Sequence, residues 1–194
     1  MLGILTKINW VDILIVILLV RISYIATKRG FPIEFFKTAG IISAVYLSLH
    51  YYSRLALFVQ HRSKLDKLNP DIFNFLSFLI LALLGYCIFM LLRKIFLIFI
   101  KIEAVDNLNR WGGMFLGVLR SLLLSSLVIY GLLICGVSYF KKSALESYSG
   151  KYVYRVAPYT YKFLWDSFFS RFSRGGTLNN DIFYATSETK ESKK

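Results

Sequence analysis

The chain has 194 residues, of which 56% are hydrophobic and 18% are charged, and its mean hydropathy is +0.55. This composition excludes an ordinary soluble domain of this length and predicts a membrane protein. The formal net charge of +13 does not indicate nucleic-acid binding, because the lysines and arginines lie mostly between and after the apolar runs, where cations meet an anionic bilayer surface.

Four apolar segments are each long enough to cross a membrane. The hydrocarbon core of a bilayer is roughly 30 Å thick and needs about 20 helical residues. Because the connecting segments are short, we expect an all-α integral membrane protein with four transmembrane helices in one bundle, a domain formed by residues 1–140. The spans are predicted at about 8–27, 32–52, 72–92 and 111–137.

The first two spans each carry a carboxylate near their start. Asp12 lies close to the beginning of the first span, and Glu34 lies in the first turn of the second, just after Pro32. The N-terminus has no basic region before its apolar core and no small-residue cleavage site, so we expect the first span to be retained. Because both carboxylates lie within predicted spans, Asp12 and Glu34 are candidate membrane-embedded polar residues.

The fourth span contains a regular stripe of small side chains. Gly113, Gly117, Ser121 and Ser125 recur every four residues, so they lie along one slowly drifting face of a helix. In lipid, such a stripe allows another helix to approach closely, and the serine hydroxyls add interhelical hydrogen bonds. The pattern predicts a helix-packing face.

Arg120 interrupts the same apolar span. It projects from nearly the same face as Gly117, toward protein, because an arginine facing hydrocarbon would be costly. Asp12 and Glu34 are the carboxylates that we expect it to pair with. The alternative is that Arg120 extends to the membrane surface and the glycines only pack.

Residues 141–174 form a juxtamembrane segment that mixes basic and aromatic side chains. From Pro158 onward, the apolar side chains recur in steps of three and four residues, which predicts a C-terminal interfacial amphipathic helix on anionic headgroups. Trp165 and Phe168 are its expected interfacial residues, and an exposed aromatic-rich loop is the alternative. Residues 175–194 are polar and are predicted to be a disordered tail.

Five short motifs, in this order along the chain, resemble those of the colicin V production protein family. Each one is weak alone, but five in register on a four-helix hydropathy pattern are fairly specific. They are WVDILIV at 10–16, RGF at 29–31 followed by Glu34, HYY at 50–52, NRWGGMFLGVLRS at 109–121 and VAPYTYKFLWDSFF at 156–169.

The resemblance implies a multi-pass protein of the bacterial cytoplasmic membrane, associated with production or export of the peptide toxin colicin V. Related four-helix domains can be joined to a periplasmic protease, which implies that both termini lie on the same side, outside the cytoplasm. The local charges do not decide the orientation, because basic residues are present on both sides of the predicted bundle.

Three function classes follow from these residues. A non-enzymatic accessory or assembly factor for toxin production, export or envelope maintenance needs only packing faces and is our first interpretation. A small oligomeric channel or transporter component is the alternative, with Asp12, Glu34, His50 and Arg120 as its polar groups. An enzyme is disfavoured, because His50 and His61 lack partners at ligand spacing. We expect no cofactor and no metal; the expected partners are the bilayer, a second copy or another envelope protein.

Overall fold

The computed structural model describes residues 9–63, 69–99, 106–172, 178–179 and 182, and the regular elements in them are helical. The four long helices are α1 (Trp10–Arg29), α2 (Phe31–Ser63), α3 (Pro70–Phe99) and α4 (Asp106–Ile134). The shorter elements are α5 (Ser138–Glu146), α6 (Tyr148–Tyr152), a 3₁₀ turn (Val153–Arg155), α7 (Val156–Leu164), a π-helical turn (Trp165–Phe169) and α8 (Ser170–Phe172). The all-α expectation is confirmed for these residues.

The helix boundaries follow from their capping residues. The side chain of Asn9 accepts a hydrogen bond from the backbone N–H of Val11 at the start of α1. Gly30 has a φ of 79°, a left-handed conformation that glycine tolerates, and it ends α1 so that α2 begins at the next residue. The side chain of Asn69 accepts the N–H of Asp71 at the start of α3.

The four long helices do not pack in chain order. α2 packs most extensively against α3 and also against α4, whereas α1 packs chiefly against α4. Although α1 and α2 are consecutive, they scarcely touch beyond the turn that joins them. α2 and α4 are therefore central, and α1 and α3 flank them with much of their apolar surface exposed.

Three of the described helices are long and apolar enough to cross a membrane: Trp10–Arg29, Pro70–Phe96 and Asn109–Ile134. The segment predicted as the second span, 32–52, lies within α2, which is more polar than these three. Its polar side chains, among them Glu34 and Lys37, are buried against protein because α2 occupies the centre of the bundle. The described chain is thus a helical protein with several membrane-span candidates.

The apolar core has two parts. In the larger part, Leu49 of α2 and Tyr130 of α4 are fully buried together with Tyr161 of α7. In the smaller part, Ile15 of α1 packs with Ile129 of α4, and α5 covers this contact. The helices that follow α4 are therefore part of the packed structure.

The C-terminal aromatic residues divide between protein and surface. Trp165 is only 8% exposed and stacks on His50 of α2, with ring centroids 5.1 Å apart, whereas Phe168 is 58% exposed. Trp165 therefore packs against protein, because a neighbouring aromatic surface on α2 is available to it. A position at the membrane interface stays a prediction for both side chains. Phe168 keeps an exposed position.

Residues 175–194, predicted to be a disordered tail, include three residues that the structure describes, namely Leu178, Asn179 and Ile182. Ile182 is fully buried and Leu178 packs against the larger core. Between them, the side-chain nitrogen of Asn179 donates to the backbone oxygen of Leu49 at 2.9 Å. Two apolar side chains four residues apart can thus reach the core across a polar stretch; the rest of 175–194 lies outside the described residues.

Candidate functional site

A carboxylate is buried between helices α2 and α4. Glu34, in the first turn of α2, has no exposed surface. Its Oε1 lies 2.5 Å from Nζ of Lys37, and its Oε2 lies 2.8 Å from Nη1 of Arg120. We call Glu34, Lys37 and Arg120 the ion cluster.

Each cation of the ion cluster takes one carboxylate oxygen. Lys37 is three residues after Glu34 on the same helix, a spacing that brings the two side chains together, and it also donates a hydrogen bond. Arg120 approaches from α4 as an ion pair without the alignment of a hydrogen bond. Lys37 and Arg120 are 6% and 8% exposed, so both pairs are shielded from solvent and gain strength from the low local dielectric.

A threonine links the ion cluster to the backbone of both central helices. The Thr38 hydroxyl donates to the backbone oxygen of Glu34 at 2.8 Å and lies 3.3 Å from the backbone oxygen of Leu116 on α4. The position of Glu34 relative to α4 is therefore fixed by backbone contacts as well as by charge.

The turn between α1 and α2 contacts the start of α4 next to the ion cluster. The side-chain oxygen of Asn109 accepts the N–H of Phe31 at 2.6 Å, and a Cβ atom on Gly30 would collide with the Asn109 side chain. Gly112 contacts the ring of Phe31, and a Cβ atom on Gly113 would lie 3.0 Å or more from the α1 backbone. Two quoted motifs, RGF and NRWGG, therefore meet in space.

The glycine stripe of α4 receives α1. A Cβ atom on Gly117 would overlap the Cβ atom of Ala26. The backbones of α1 and α4 therefore approach closely where these two small residues meet. Ser121 and Ser125 are fully buried; the Ser121 hydroxyl donates to the backbone oxygen of Val118 on its own helix. The four small residues thus all lie against protein, and the close helix crossing is formed by the glycines.

Sequence reasoning missed a second close crossing. A Cβ atom on Gly85 of α3 would lie 2.8 Å from the backbone N and Cα atoms of Ala44 on α2, and one on Gly40 would lie 3.2 Å from Tyr86. The spacing of Gly40 and Ala44, four residues apart in an apolar segment, was the signal that could have identified this face. Lys37 was also missed, although its spacing from Glu34 could have indicated the pair.

The other candidate acid has a different role in the structure. The two carboxylate oxygens of Asp12 accept the backbone N–H groups of Tyr148 and Ser149 at 3.1 and 2.7 Å. Asp12 therefore caps the start of α6. This contact is at the start of α1, whereas the turn at Gly30 is at its end. Of the two carboxylates considered as partners of Arg120, only Glu34 contacts it.

His50 is part of an aromatic cluster on α2 beneath the C-terminal helices. Its Nδ1 lies 2.8 Å from the hydroxyl of Tyr161, which also accepts the N–H of Asn179 at 3.1 Å. Burial raises the pKa of the Tyr161 hydroxyl, so it stays neutral and serves as a hydrogen-bonding group. This arrangement positions the C-terminal segment on α2.

Two cavities border the ion cluster, and cations contribute to the walls of both. The larger, of about 590 Å³, lies between the flanking helices α1 and α3 on the surface of α2 and α4; we call it the lateral cleft. The smaller, of about 110 Å³, includes Arg93 of α3 in its wall; we call it the basic pocket. They share Arg29, Lys37 and Tyr86, and Arg120 lines the lateral cleft.

Within the part of the chain that the structure describes, no group of three or more His, Cys, Asp or Glu residues lies close enough to hold a metal ion. In the ion cluster, both carboxylate oxygens of Glu34 already face a cation. The cluster can hold two central helices together, and its surplus of positive charge can attract an anion.

The helices and this buried cluster define the class: a helical membrane protein with several span candidates and a charged centre between its two inner helices. The family model described as "Colicin V production protein" matches residues 11–158, which is most of the chain. The protein therefore belongs to the colicin V production protein family, as the five motifs indicated. No curated protein and no solved structure matches it.

Proposed function

We propose that this chain is a non-enzymatic accessory or assembly protein of the bacterial cytoplasmic membrane. The observation that carries the proposal is that the buried polar side chains of α2 and α4 are occupied by contacts within the protein. Glu34, Lys37, Arg120 and Thr38 contact each other or the backbone, so they stabilise the bundle and present no reacting group. The exposed apolar surfaces of α1 and α3 remain for lipid or another membrane protein.

The proposal includes four membrane spans, with α2 as the central one. α2 reaches the membrane centre with polar side chains, and burial by α3 and α4 makes this placement energetically acceptable. Both termini are proposed to lie outside the cytoplasm. The contact of the Asn9 side chain with the backbone oxygen of Ser143 supports the same-side part, because it brings residues before α1 and after α4 to one end of the bundle.

An oligomeric channel or transporter component is the second candidate. The observation that favours it is the number of buried polar side chains on α2, which include Thr38, Ser48 and His50 besides the ion cluster. In one protomer they are packed against protein, so a conducting path would have to form between protomers.

Two measurements on the purified full-length protein distinguish these functions. The mass of the protein in detergent gives its oligomeric state, and efflux of small ions from protein-containing liposomes gives its conductance. The accessory proposal expects no flux above that of empty liposomes. Flux that an Arg120→Leu substitution changes would contradict it and support the channel.

A further inference from the structure

The lateral cleft has the shape and polarity of a site for an amphiphile. Its volume of about 590 Å³ falls within the range of roughly 300–1,000 Å³ that is usual for ligand sites. Most of its wall is apolar and comes from all four long helices; Ile25, Phe78, Leu83, Leu124 and Val128 are examples. Cations occupy only the end that it shares with the basic pocket.

Positive charge is in excess at this end of the lateral cleft. Arg29, Lys37, Arg93 and Arg120 line the two cavities. Among the described residues, Glu34 is the carboxylate at this end, and it contacts Lys37 and Arg120. Four cations against one carboxylate leave a surplus of three positive charges. The Nε atom of Arg93 is buried without a hydrogen-bond partner among the described residues, so an acceptor there would satisfy it.

The cations also lie at the depth of a lipid headgroup. Arg29 is the last residue of α1, and Arg93 is three residues from the end of the apolar segment Pro70–Phe96. Lys37 is six residues into α2, which corresponds to about 9 Å along the helix. A molecule that placed an anion among these three residues would have its apolar part beside the walls of the lateral cleft.

A third cavity provides a comparison within the same molecule. It has a volume of about 880 Å³ and lies on α2 beneath the C-terminal helices. No lysine, arginine, aspartate or glutamate is among the described residues that line it; its polar side chains include Thr38, Ser43, Tyr46, His50 and Tyr51. Two large cavities are therefore mostly apolar, and the surplus of positive charge distinguishes the lateral cleft from the other one.

We propose that the lateral cleft binds an acyl chain of an anionic phospholipid, a lipid with a net negative charge, whose phosphate lies against Arg29, Lys37 and Arg93. The cations attract the phosphate, as basic pockets between membrane helices attract anionic headgroups, and Arg93 gains an acceptor for its Nε. The weak contact between α1 and α2 leaves the space that the chain fills. This site depends on membrane insertion of the bundle and not on the accessory role, so either proposal can fail without the other.

Native mass spectrometry of the full-length protein in a neutral detergent tests this site. The probes are phosphatidylglycerol, phosphatidylcholine with the same acyl chains, and inorganic phosphate. We expect one phosphatidylglycerol to bind at least about tenfold more tightly than phosphatidylcholine, because the zwitterion brings no net negative charge. Equal affinities for the two lipids would overturn the proposal, and so would inorganic phosphate that displaces phosphatidylglycerol at equal concentration.

A pair of double variants locates the binding. Arg29→Gln with Arg93→Gln removes two cations outside the ion cluster and should weaken phosphatidylglycerol binding about 30-fold. Arg54→Gln with Arg62→Gln removes the same charge from exposed positions near the other end of α2 and should have little effect. Equal losses in both double variants would show general surface attraction and overturn the site.

A variant of the apolar wall tests the acyl chain. Leu83 lines the lateral cleft and is 57% exposed, so Leu83→Trp should narrow the cleft without disturbing the core, whereas Leu84 is not among the lining residues and Leu84→Trp is its control. We expect the first to weaken phosphatidylglycerol binding about tenfold and the second to leave it unchanged. Unchanged binding in Leu83→Trp would exclude the cleft as the acyl-chain site.

Discussion

Removing the carboxylate of Glu34 should harm the bundle more than removing either cation. Glu34→Gln leaves both Lys37 and Arg120 buried without a counter-charge, and breaking a buried pair typically costs about 3–5 kcal/mol. Arg120→Leu removes one cation and leaves Glu34 paired with Lys37, so we expect a loss of only about 1 kcal/mol. The order of the two effects follows from the two ion pairs sharing one acid.

The measurement is reversible unfolding in mixed micelles with increasing denaturing detergent, followed by helical circular dichroism. Glu146→Gln is the matched control, because Glu146 pairs with Lys142 at 3.9 Å and both side chains are largely exposed, so its change should be negligible. If Glu34→Gln unfolded at the same detergent fraction as Glu146→Gln, or if Arg120→Leu cost as much as Glu34→Gln, the shared-acid reasoning would be refuted.

Exchange of the charges gives a second test of the same cluster. Glu34→Arg with Arg120→Glu restores one pair across the helices but places an arginine three residues before Lys37, where like charges repel. We therefore expect partial recovery of stability, and fuller recovery when Lys37→Met is added. A triple variant no more stable than the double would show that Lys37 contributes nothing to the cluster.

Two further predictions concern contacts of α1. Gly117→Ala should destabilise the bundle by about 1–3 kcal/mol because its Cβ overlaps that of Ala26; Ala26→Gly should rescue it, and Leu116→Ile should be mild. An unrescued double variant, judged by the same detergent unfolding, would mean that α1 crosses α4 elsewhere. Asp12→Ala should expose the N–H groups of Tyr148 and Ser149, which hydrogen–deuterium exchange would detect as faster exchange confined to the start of α6; unaltered exchange would contradict the cap.

Periodicity and composition predict the helices well because apolar length and helix-breaking residues are local properties. The turn at Gly30 and the start of α3 at Pro70 follow directly from such residues. The packing order does not follow, since it depends on which faces fit across the bundle. Chain order alone would place α1 beside α2, whereas close glycine–alanine crossings join α1 to α4 and α2 to α3.

The sequence predicts a contact of the ion cluster only at Arg120, where a charge inside an apolar helix requires a partner. An arginine inside an apolar helix requires a partner, which limited the choice for Arg120 to a few acids. The position of Asp12, against backbone N–H groups 136 and 137 residues later, could not be inferred, because it depends on how the short helices return to α1. Leu178 and Ile182 illustrate the same limit, since two apolar residues in a polar stretch give no periodic signal.

The proposed orientation and the proposed lipid site constrain each other. If the termini lie outside the cytoplasm, the turn at Gly30 and the end of α3 lie at the cytoplasmic surface, which places Arg29 and Arg93 where basic residues are favoured. Anionic phospholipid gives that leaflet its negative surface potential, so the same placement supplies the lateral cleft with its ligand. Reporter fusions near each terminus therefore test the lipid site as well as the topology. If the termini lie inside the cytoplasm, the surplus of positive charge faces the outer leaflet. The cytoplasmic leaflet could then not supply the proposed lipid.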